Sequence, residues 1–305
     1  MSRVEAHVLI TLSIFNGEEF LREQIQSIKD LHTVNWLVLW RDDQSSDNSR
    51  ELARELIDND HRFIEIEGSG SHLGVLFSYQ NLVKESLNYR WDWLAFCDQD
   101  DIWLSDRFEG IEQYGSSNVS SLIIGEVHLI DEYGFSRSRT IKPSQDVNKY
   151  RSVLENVGPG CSTAINPVLA GLFSDIEFEA SSTFLHDHFC FAIASFSGTI
   201  IFDQKIWIEY RLHDNNTIGM NNNVKQVLMR LSPHKGRYVK KISQIAKALE
   251  KLPQLEDRDR EFLCKSELLI ISSFRQRLVY LWEWELRRQS ITKELYTKAK
   301  ILFNL

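Results

Sequence analysis

The chain has 305 residues, 43% of them hydrophobic and 26% charged, enough to bury one large core or a main domain with an appendage, which excludes a disordered polymer. Its net charge of −8 is unevenly divided: from Asn221 onward there are 18 Lys/Arg against 9 Asp/Glu, so residues 1–220 are strongly acidic and make a poor nucleic-acid-binding face. Four scattered cysteines, Cys97, Cys161, Cys190 and Cys264, form no CxxC pair, which excludes a zinc knuckle or a disulfide framework and leaves reduced, buried thiols as the expectation.

The opening "MSRVEAHVLITLSIF" lacks the basic, apolar and small-residue order of a secretory signal. The uncharged run from Phe189 to Phe202 falls short of the roughly 20 residues that span a bilayer. A cytoplasmic protein without a transmembrane helix is expected.

In chain order, His7 to Phe15, Trp36 to Trp40, Phe63 to Glu67 and Trp93 to Cys97 have the length and β-rich composition of strands. Between them run helical patterns: Leu21, Ile25 and Ile28; Leu52 and Leu56 behind the capping residues of "SSDNS"; and Leu76, Tyr79 and Val83. This alternation predicts an α/β fold with a mostly parallel sheet flanked by helices, whose ligands meet the carboxyl ends of the strands. Ser121 to Ile130, Asn156 to Ile165, Phe184 to Phe196 and Thr199 to Asn216 extend the sheet with further strands and one helix. After Met220 the character changes, with Leu263, Ile270, Phe274, Leu278 and Leu281 on one helical stripe. Two units are expected: residues 1–220, and a helical C-terminal extension over 221–305.

Three polar clusters follow strands and should share one rim: "NGEE" from Asn16, "RDDQSSDNS" from Arg41 and "DQDD" from Asp98. In an extended segment Asp98 and Asp100 point the same way. Two carboxylates about 4 Å apart repel by roughly 4 kcal/mol at an effective dielectric near 20, so they call for a proton, a basic partner or a cation such as Mg²⁺ or Mn²⁺. The same letters also serve as an Asp-rich cap for a helix near Leu104. Asp42 or Asp43 can accept hydrogen bonds from a base or ribose, while Ser46 and Asp47 can cap the next helix. In "LHDHF", Asp187 stands at a helix start, either as a cap or as a general base. In "YRLHDNN", Arg211 can reach a diphosphate and His213 can complete a metal shell, unless the segment is an ordinary polar turn.

Together, "SIFNGEEFLREQIQSI", "DDQSSDNS", "SHLGVLFSYQNLV", "FCDQDDIWLSDR", "GPGCSTAIN", "LHDHF" and "YRLHDNNTIG" resemble, in order and spacing, the inverting GT-A enzymes of glycosyltransferase family 2, especially bacterial rhamnosyltransferase-like members. The resemblance covers about residues 7–220. It implies a GT-A fold and a nucleotide site that includes Thr11, Ser13, Asn16, Glu18, Asp42 and Asp43. It further implies a DxD metal site at Asp98 and Asp100 completed by His213, with Mn²⁺ or Mg²⁺ as cofactor. The donor and acceptor pocket would take Asp101, Trp103, Gly160, Cys161, His186 and Arg211, and Asp187 would be the catalytic base. Gln44, His188 with Phe189, and Asp214 depart from the usual pattern and put donor and acceptor identity in question.

The implied activity is transfer of a sugar, rhamnose being one candidate, from a dTDP- or UDP-linked donor to a saccharide or lipid-linked acceptor in surface polysaccharide synthesis. Rival readings are an inactive GT-A-fold binding or assembly subunit and a sugar-nucleotide pyrophosphorylase, whose Gly-rich, Arg/Lys-bearing phosphate loop "LSIFNGEEF" lacks. The basic tail with "YLWEWEL" suggests either peripheral membrane contact or helical packing within the chain or a homo-oligomer.

Overall fold

The computed structural model describes residues 7–67, 70–115, 117–145, 148–180, 182, 184–213, 237–284 and 291–304. The first half alternates strands and helices: β1 (His7–Ile14), α1 (Leu21–Lys29), β2 (Asn35–Asp42), α2 (Ser49–Ile57), β3 (Phe63–Glu65), α3 (Val75–Ser86) and β4 (Trp93–Cys97). All five residues of β4 are buried, because both faces of the strand are covered. Helix α1 buries Leu21, Ile25 and Ile28 along one stripe, as their spacing requires.

The second half adds β5 (Ile102–Trp103), β6 (Ser120–Asp131), β7 (Ser136–Ile141), α4 (Lys149–Ser152), β8 (Thr163–Ile165), α5 (Pro167–Ser174), α6 (His186–Ser197) and β9 (Gly198–Leu212). Asn166 caps α5 by accepting a hydrogen bond from the Leu169 amide at 3.0 Å, with Pro167 at the first helical position, where its missing amide hydrogen costs nothing. The nine-stranded sheet runs β3-β2-β1-β4-β8-β6-β9-β5, with β7 paired to β6. The expected parallel order holds from β3 to β4. Beyond β4 the sheet is mixed: β8 lies antiparallel to both β4 and β6, β6 and β9 are parallel, and β5 is antiparallel to β9.

Two apolar layers enclose this sheet. On one face Ile25, Ile28, Ala53, Trp103, Phe108 and Trp207 pack together. On the other, α3, α5 and α6 share a core with α7 (Arg237–Leu249) and α8 (Asp257–Glu267) through Val239, Ile242, Ile245, Phe262 and Leu263. The C-terminal helices are thus joined to the sheet through common packing. They continue with α9 (Phe274–Glu283) and α10 (Ile291–Phe303).

Two expectations need correction. The C-terminal stripe is not one helix: a 3₁₀ turn at Leu268–Ile270 ends α8, and Ser273 starts α9 with a capping box to Gln276. Ile270, Phe274 and Leu278 consequently lie exposed while Leu263 is buried. Cys97, Cys161 and Cys190 are buried thiols, but Cys264 faces outward. Asn216, Asp214 and the boundary at residue 220 lie outside the described residues.

Candidate active site

The carboxyl ends of β1, β2 and β4 meet on one rim, and hydrogen bonds between side chains of one loop and the backbone of the next hold the loops together. Asn16 Oδ1 accepts from the Ser46 amide at 2.7 Å, and Glu18 Oε2 accepts from the Asn48 amide at 2.9 Å. Gln99 ties β4 to β1 with a double bond pattern, Oε1 accepting from the Phe15 amide at 2.7 Å and Nε2 donating to the Phe15 carbonyl at 2.9 Å. Gly17 makes room for that clamp, since a Cβ there would lie 2.4 Å from the Gln99 amide group.

The two aspartates after β2 have different settings. Asp43 is buried, accepts from the Leu73 and Gly74 amides at 2.9 and 2.8 Å, and pairs with the buried Arg41 at 3.1 Å. It pins the loop before α3 onto the strand. Asp42 Oδ2 closes a turn by accepting from the Gln44 and Ser45 amides, while its Oδ1 has no hydrogen-bond partner among the described residues. Beside them the half-exposed Phe15 ring lies 4.4 Å from that of His72. Ser13 Oγ meets Ser78 Oγ at 2.6 Å, and the buried Thr11 hydroxyl donates to the Ala95 carbonyl at 3.3 Å, inside the sheet.

At the end of β4 the carboxylates divide: Asp98 and Asp101 lie together with Cys161, while Asp100 turns to His213. The Tyr79 hydroxyl lies 2.6 Å from the Cys97 carbonyl and 2.9 Å from Asp98 Oδ1. Asp100 Oδ2 meets His213 Nε2 at 2.9 Å, so the motif after β9 does reach the acidic cluster. Asp101 is fully buried and its Oδ1 accepts from the Arg211 amide at 3.0 Å. Burial first, then the charge of Asp100, pushes the Asp98 carboxyl up to about 7, against the Tyr79 hydrogen bond, which lowers it. Burial first, then the charges of Asp100 and Asp98, also raises Asp101 well above the usual carboxylate range.

Arg211 is turned into the protein. Its guanidinium donates to the Asp100 carbonyl at 3.0 Å, the Glu132 carbonyl at 3.0 Å and Glu23 Oε2 at 2.5 Å. It fixes the "DQDD" backbone, which departs from the expectation that it extends toward a diphosphate. Trp103 is likewise an inner wall: it is buried, with the Arg107 guanidinium 3.6 Å above its ring. Arg107 itself is fully buried, donates to the Cys161 carbonyl at 3.1 Å, and is lowered by that burial to about 9.

Residues Gly160 and Cys161 bridge the two halves of the site. Cys161, Asp98 and Asp101 bring ligand atoms within 4.8 Å of one another. Burial, then the charges of Asp101 and Asp98, raises the Cys161 thiol well above its usual value, which keeps it protonated. A Cβ on Gly160 would lie 2.7 Å from His186 Nε2 and 3.2 Å from Asp187 Cβ, so the first turn of α6 seats directly on this glycine. His186 is buried, its ring 3.9 Å from Tyr79 and 4.5 Å from Phe96, and desolvation lowers it to about 3, which keeps it neutral. Neither ring nitrogen has a partner among the described residues. Asp187 Oδ1 accepts the His188 amide at 2.7 Å; burial raises its carboxyl despite that bond and the charge of Lys241 on α7.

Sequence reasoning missed Gln99 and Tyr79 as site residues. Gln99 stands inside the quoted motif but carries no charge, and Tyr79 was read as one more residue of the α3 core stripe. Nothing in the sequence reveals that the Tyr79 hydroxyl ends at Asp98.

A mixed sheet with acidic strand ends and a helix-borne carboxylate beside them fits the GT-A fold of glycosyltransferases. The chain belongs to glycosyl transferase family 2, whose model matches residues 10–175. Asp187, Arg211 and His213 lie beyond that stretch. It is similar to the dTDP-rhamnosyl transferase RfbG of Shigella flexneri, 26% identical over 96% of this chain and 100% of the relative. It is 27% identical to the UDP-Glc:alpha-D-GlcNAc-diphosphoundecaprenol beta-1,3-glucosyltransferase WfgD of Escherichia coli over 52% of this chain and 59% of that one. In fold it is similar to S. aureus TarS 1-349 in complex with UDP-GlcNAc, with a TM-score of 0.59, 11% identity and coverage of 97% and 81% of the two chains. The mannosyltransferase PcManGT from Pyrobaculum calidifontis, in complex with GDP-Man and Mn2+, gives 0.54 at 10% identity over 99% and 86%. The chain is a glycosyltransferase, which sets aside the pyrophosphorylase reading.

Proposed function

We propose that residues 1–220 form the catalytic unit of a metal-dependent inverting transferase, with residues 221–305 as its extension. The unit moves a sugar, rhamnose first among candidates, from a nucleoside diphosphate to a hydroxyl of a saccharide or lipid-linked saccharide during bacterial surface polysaccharide synthesis. The observation that carries the reading is the contact chain at Gly160 and Cys161, which seats Asp187 beside the acidic end of β4. The likeness to RfbG supports a dTDP-rhamnose donor, and the name of WfgD supports a lipid-diphosphate-linked acceptor and keeps UDP-sugars open. A cytoplasmic enzyme fits these donors, and no described helix is long and apolar enough to cross a membrane.

The donor set suits a hard divalent cation. Burial first, and then the charge of neighbouring carboxylates, raises Asp98 and Asp101, and Asp100 with His213 offers an oxygen and a nitrogen at one point. Asp98, Asp100 and His213 would hold Mn²⁺ or Mg²⁺, with Asp101 and the Cys161 thiol behind them. When bound, such an ion neutralises charge on the diphosphate leaving group.

The chain's own groups divide the remaining work. Asp42 faces the ribose or base, and Phe15 with His72 gives the base an aromatic edge. Thr11 supports the floor from within the sheet, whereas Ser13, Asn16 and Glu18 shape the rim. Neutral His186 offers a hydrogen bond to a sugar hydroxyl. Asp187 takes the proton of the acceptor hydroxyl as its oxygen bonds the anomeric carbon, and the bond from that carbon to the diphosphate oxygen breaks on the opposite face. A single displacement inverts the anomeric configuration. The raised Asp187 carboxyl makes it a stronger base than a solvated aspartate.

The test is a panel of nucleotide sugars scored by thermal stabilisation and by transfer, with Mn²⁺ or with chelator. A dTDP- or UDP-sugar that raises the melting temperature only with the ion supports the reading. No stabilisation by any nucleotide sugar contradicts it.

A further inference from the structure

Helix α9 presents its faces in an unusual order. Arg277 is 7% exposed and Tyr280 3% exposed, both turned inward: Arg277 Nε donates to the Leu269 carbonyl at 3.3 Å, and the Tyr280 hydroxyl meets Ser266 Oγ at 2.8 Å. Phe274, Leu278 and Trp282, four residues apart, point outward with Val279, and Ile271 precedes them. Trp282 is 83% exposed and Ile271 78%.

This orientation is fixed by packing. The Ser273 and Gln276 capping box sets the start of the helix, Tyr280 stacks with Phe262 at 6.0 Å, and Trp284 closes on Phe262 at 4.9 Å and Tyr150 at 5.0 Å. Rotating the helix to hide Trp282 would break these contacts. A contiguous apolar face held outward by a rigid support marks an interaction surface.

We infer that this face of α9 rests on an anionic lipid surface. Charge selects that occupant. Arg275 lies exposed within the apolar arc and forms no ion pair among the described residues. From Ile271 to Leu305 the sequence carries seven Lys/Arg against three Asp/Glu, of which Arg277 is turned inward and Lys298 pairs with Glu294. Tryptophan, phenylalanine and leucine beside arginine form the interfacial pattern in which apolar side chains enter the headgroup boundary while cations meet anionic lipids. A symmetric contact between two copies would bury Arg275 of each within an apolar seam with no described anion to meet it. The support reaches the catalytic unit, since α9 packs on α8, α8 on α7, and α7 on α6, the helix that carries Asp187. The surface would therefore hold the site near acceptors anchored in a membrane. The inference needs only the α9 geometry and stands apart from the assignment of donor and base.

The experiment is co-sedimentation of the full chain with vesicles of phosphatidylcholine alone and of phosphatidylcholine mixed with phosphatidylglycerol. The protein should pellet with the mixed vesicles. The double variant Ile271→Ser with Trp282→Ser should lower the bound fraction about tenfold, and Arg275→Glu should lower it on mixed vesicles only. All three changes are at outward positions, so an unchanged melting temperature confirms that the fold is kept. Wild-type protein remaining in the supernatant, or variants that pellet equally, would overturn the inference. A dimer in sedimentation velocity that the double variant dissociates, without vesicle binding, would assign the face to a second copy. Sugar transfer to a soluble acceptor is unaffected in each case, which keeps this test separate from that of the proposed activity.

Discussion

The imidazole of His186 lies 3.9 Å from the ring of Tyr79, and through Tyr79 the helix bearing Asp187 is coupled to the carboxylate of Asp98. One buried stack thus sets the distance between base and acidic cluster. Its pH dependence follows from His186, which titrates at about 3 in the fold and near 6.5 when unfolded. Above the unfolded value both states are neutral and nothing is lost. As pH falls from about 6.5 toward 3, the unfolded chain gains a proton that the folded chain refuses, so stability declines. His186→Phe carries a pH-independent packing cost, but between pH 8 and pH 5 it should lose ~2 kcal/mol less than the wild type, read by denaturant unfolding at each pH. Parallel pH profiles for the two proteins would contradict the buried neutral histidine.

Gly160→Ala probes the seating of α6. The added methyl would meet His186 Nε2 at 2.7 Å, and that ring has no room between Tyr79 and Phe96. Asp187 should move by a fraction of an ångström, lowering kcat about tenfold to a hundredfold with the donor's binding little changed. Donor titration beside turnover measurement separates these effects.

How far this was readable in advance varies with the interaction. The β1 to β4 order and the strand-end rim followed from alternation, because local periodicity fixes elements and their ends, whereas a place for His213 beside the acidic cluster was implied by the family resemblance and its bond to Asp100 was not foreseen. The mixed second half of the sheet did not, since β8 is three residues long and its neighbours are set by long-range pairing. Arg211 was legible as a cation near the acidic cluster, but its inward aim depends on Glu23 and Glu132, distant in sequence. The α8 to α9 break was signalled by "ISSF", where Ser273 is a cap, and was overridden by the apolar stripe that runs across it.

Arg211 and Glu23 form an ion pair whose members differ sharply in exposure, 1% against 58%. Glu23→Ala should cost under about 1 kcal/mol, since the exposed partner contributes little. Arg211→Ala strips donors from the Asp100 and Glu132 carbonyls and empties a buried site, costing about 3 kcal/mol or more. Equal destabilisation in chemical unfolding would refute Arg211 as the scaffold of "DQDD".

Cation binding provides a fourth check. Mn²⁺ should raise the melting temperature of the wild-type protein, and Asp100→Asn or His213→Ala should remove most of that rise. Asp43→Asn, by contrast, should lower stability without abolishing the Mn²⁺ response, because Asp43 holds the loop before α3 rather than the cluster.

The most direct measurement compares wild-type protein with Asp187→Asn in a transfer assay on a lipid-linked or soluble saccharide acceptor, with product configuration read by NMR. The wild type should give product of inverted anomeric configuration, and the variant should bind nucleotide sugar normally while losing about a hundredfold to ten-thousandfold in kcat. Retained configuration, or an Asp187→Asn protein of undiminished turnover, would contradict the account.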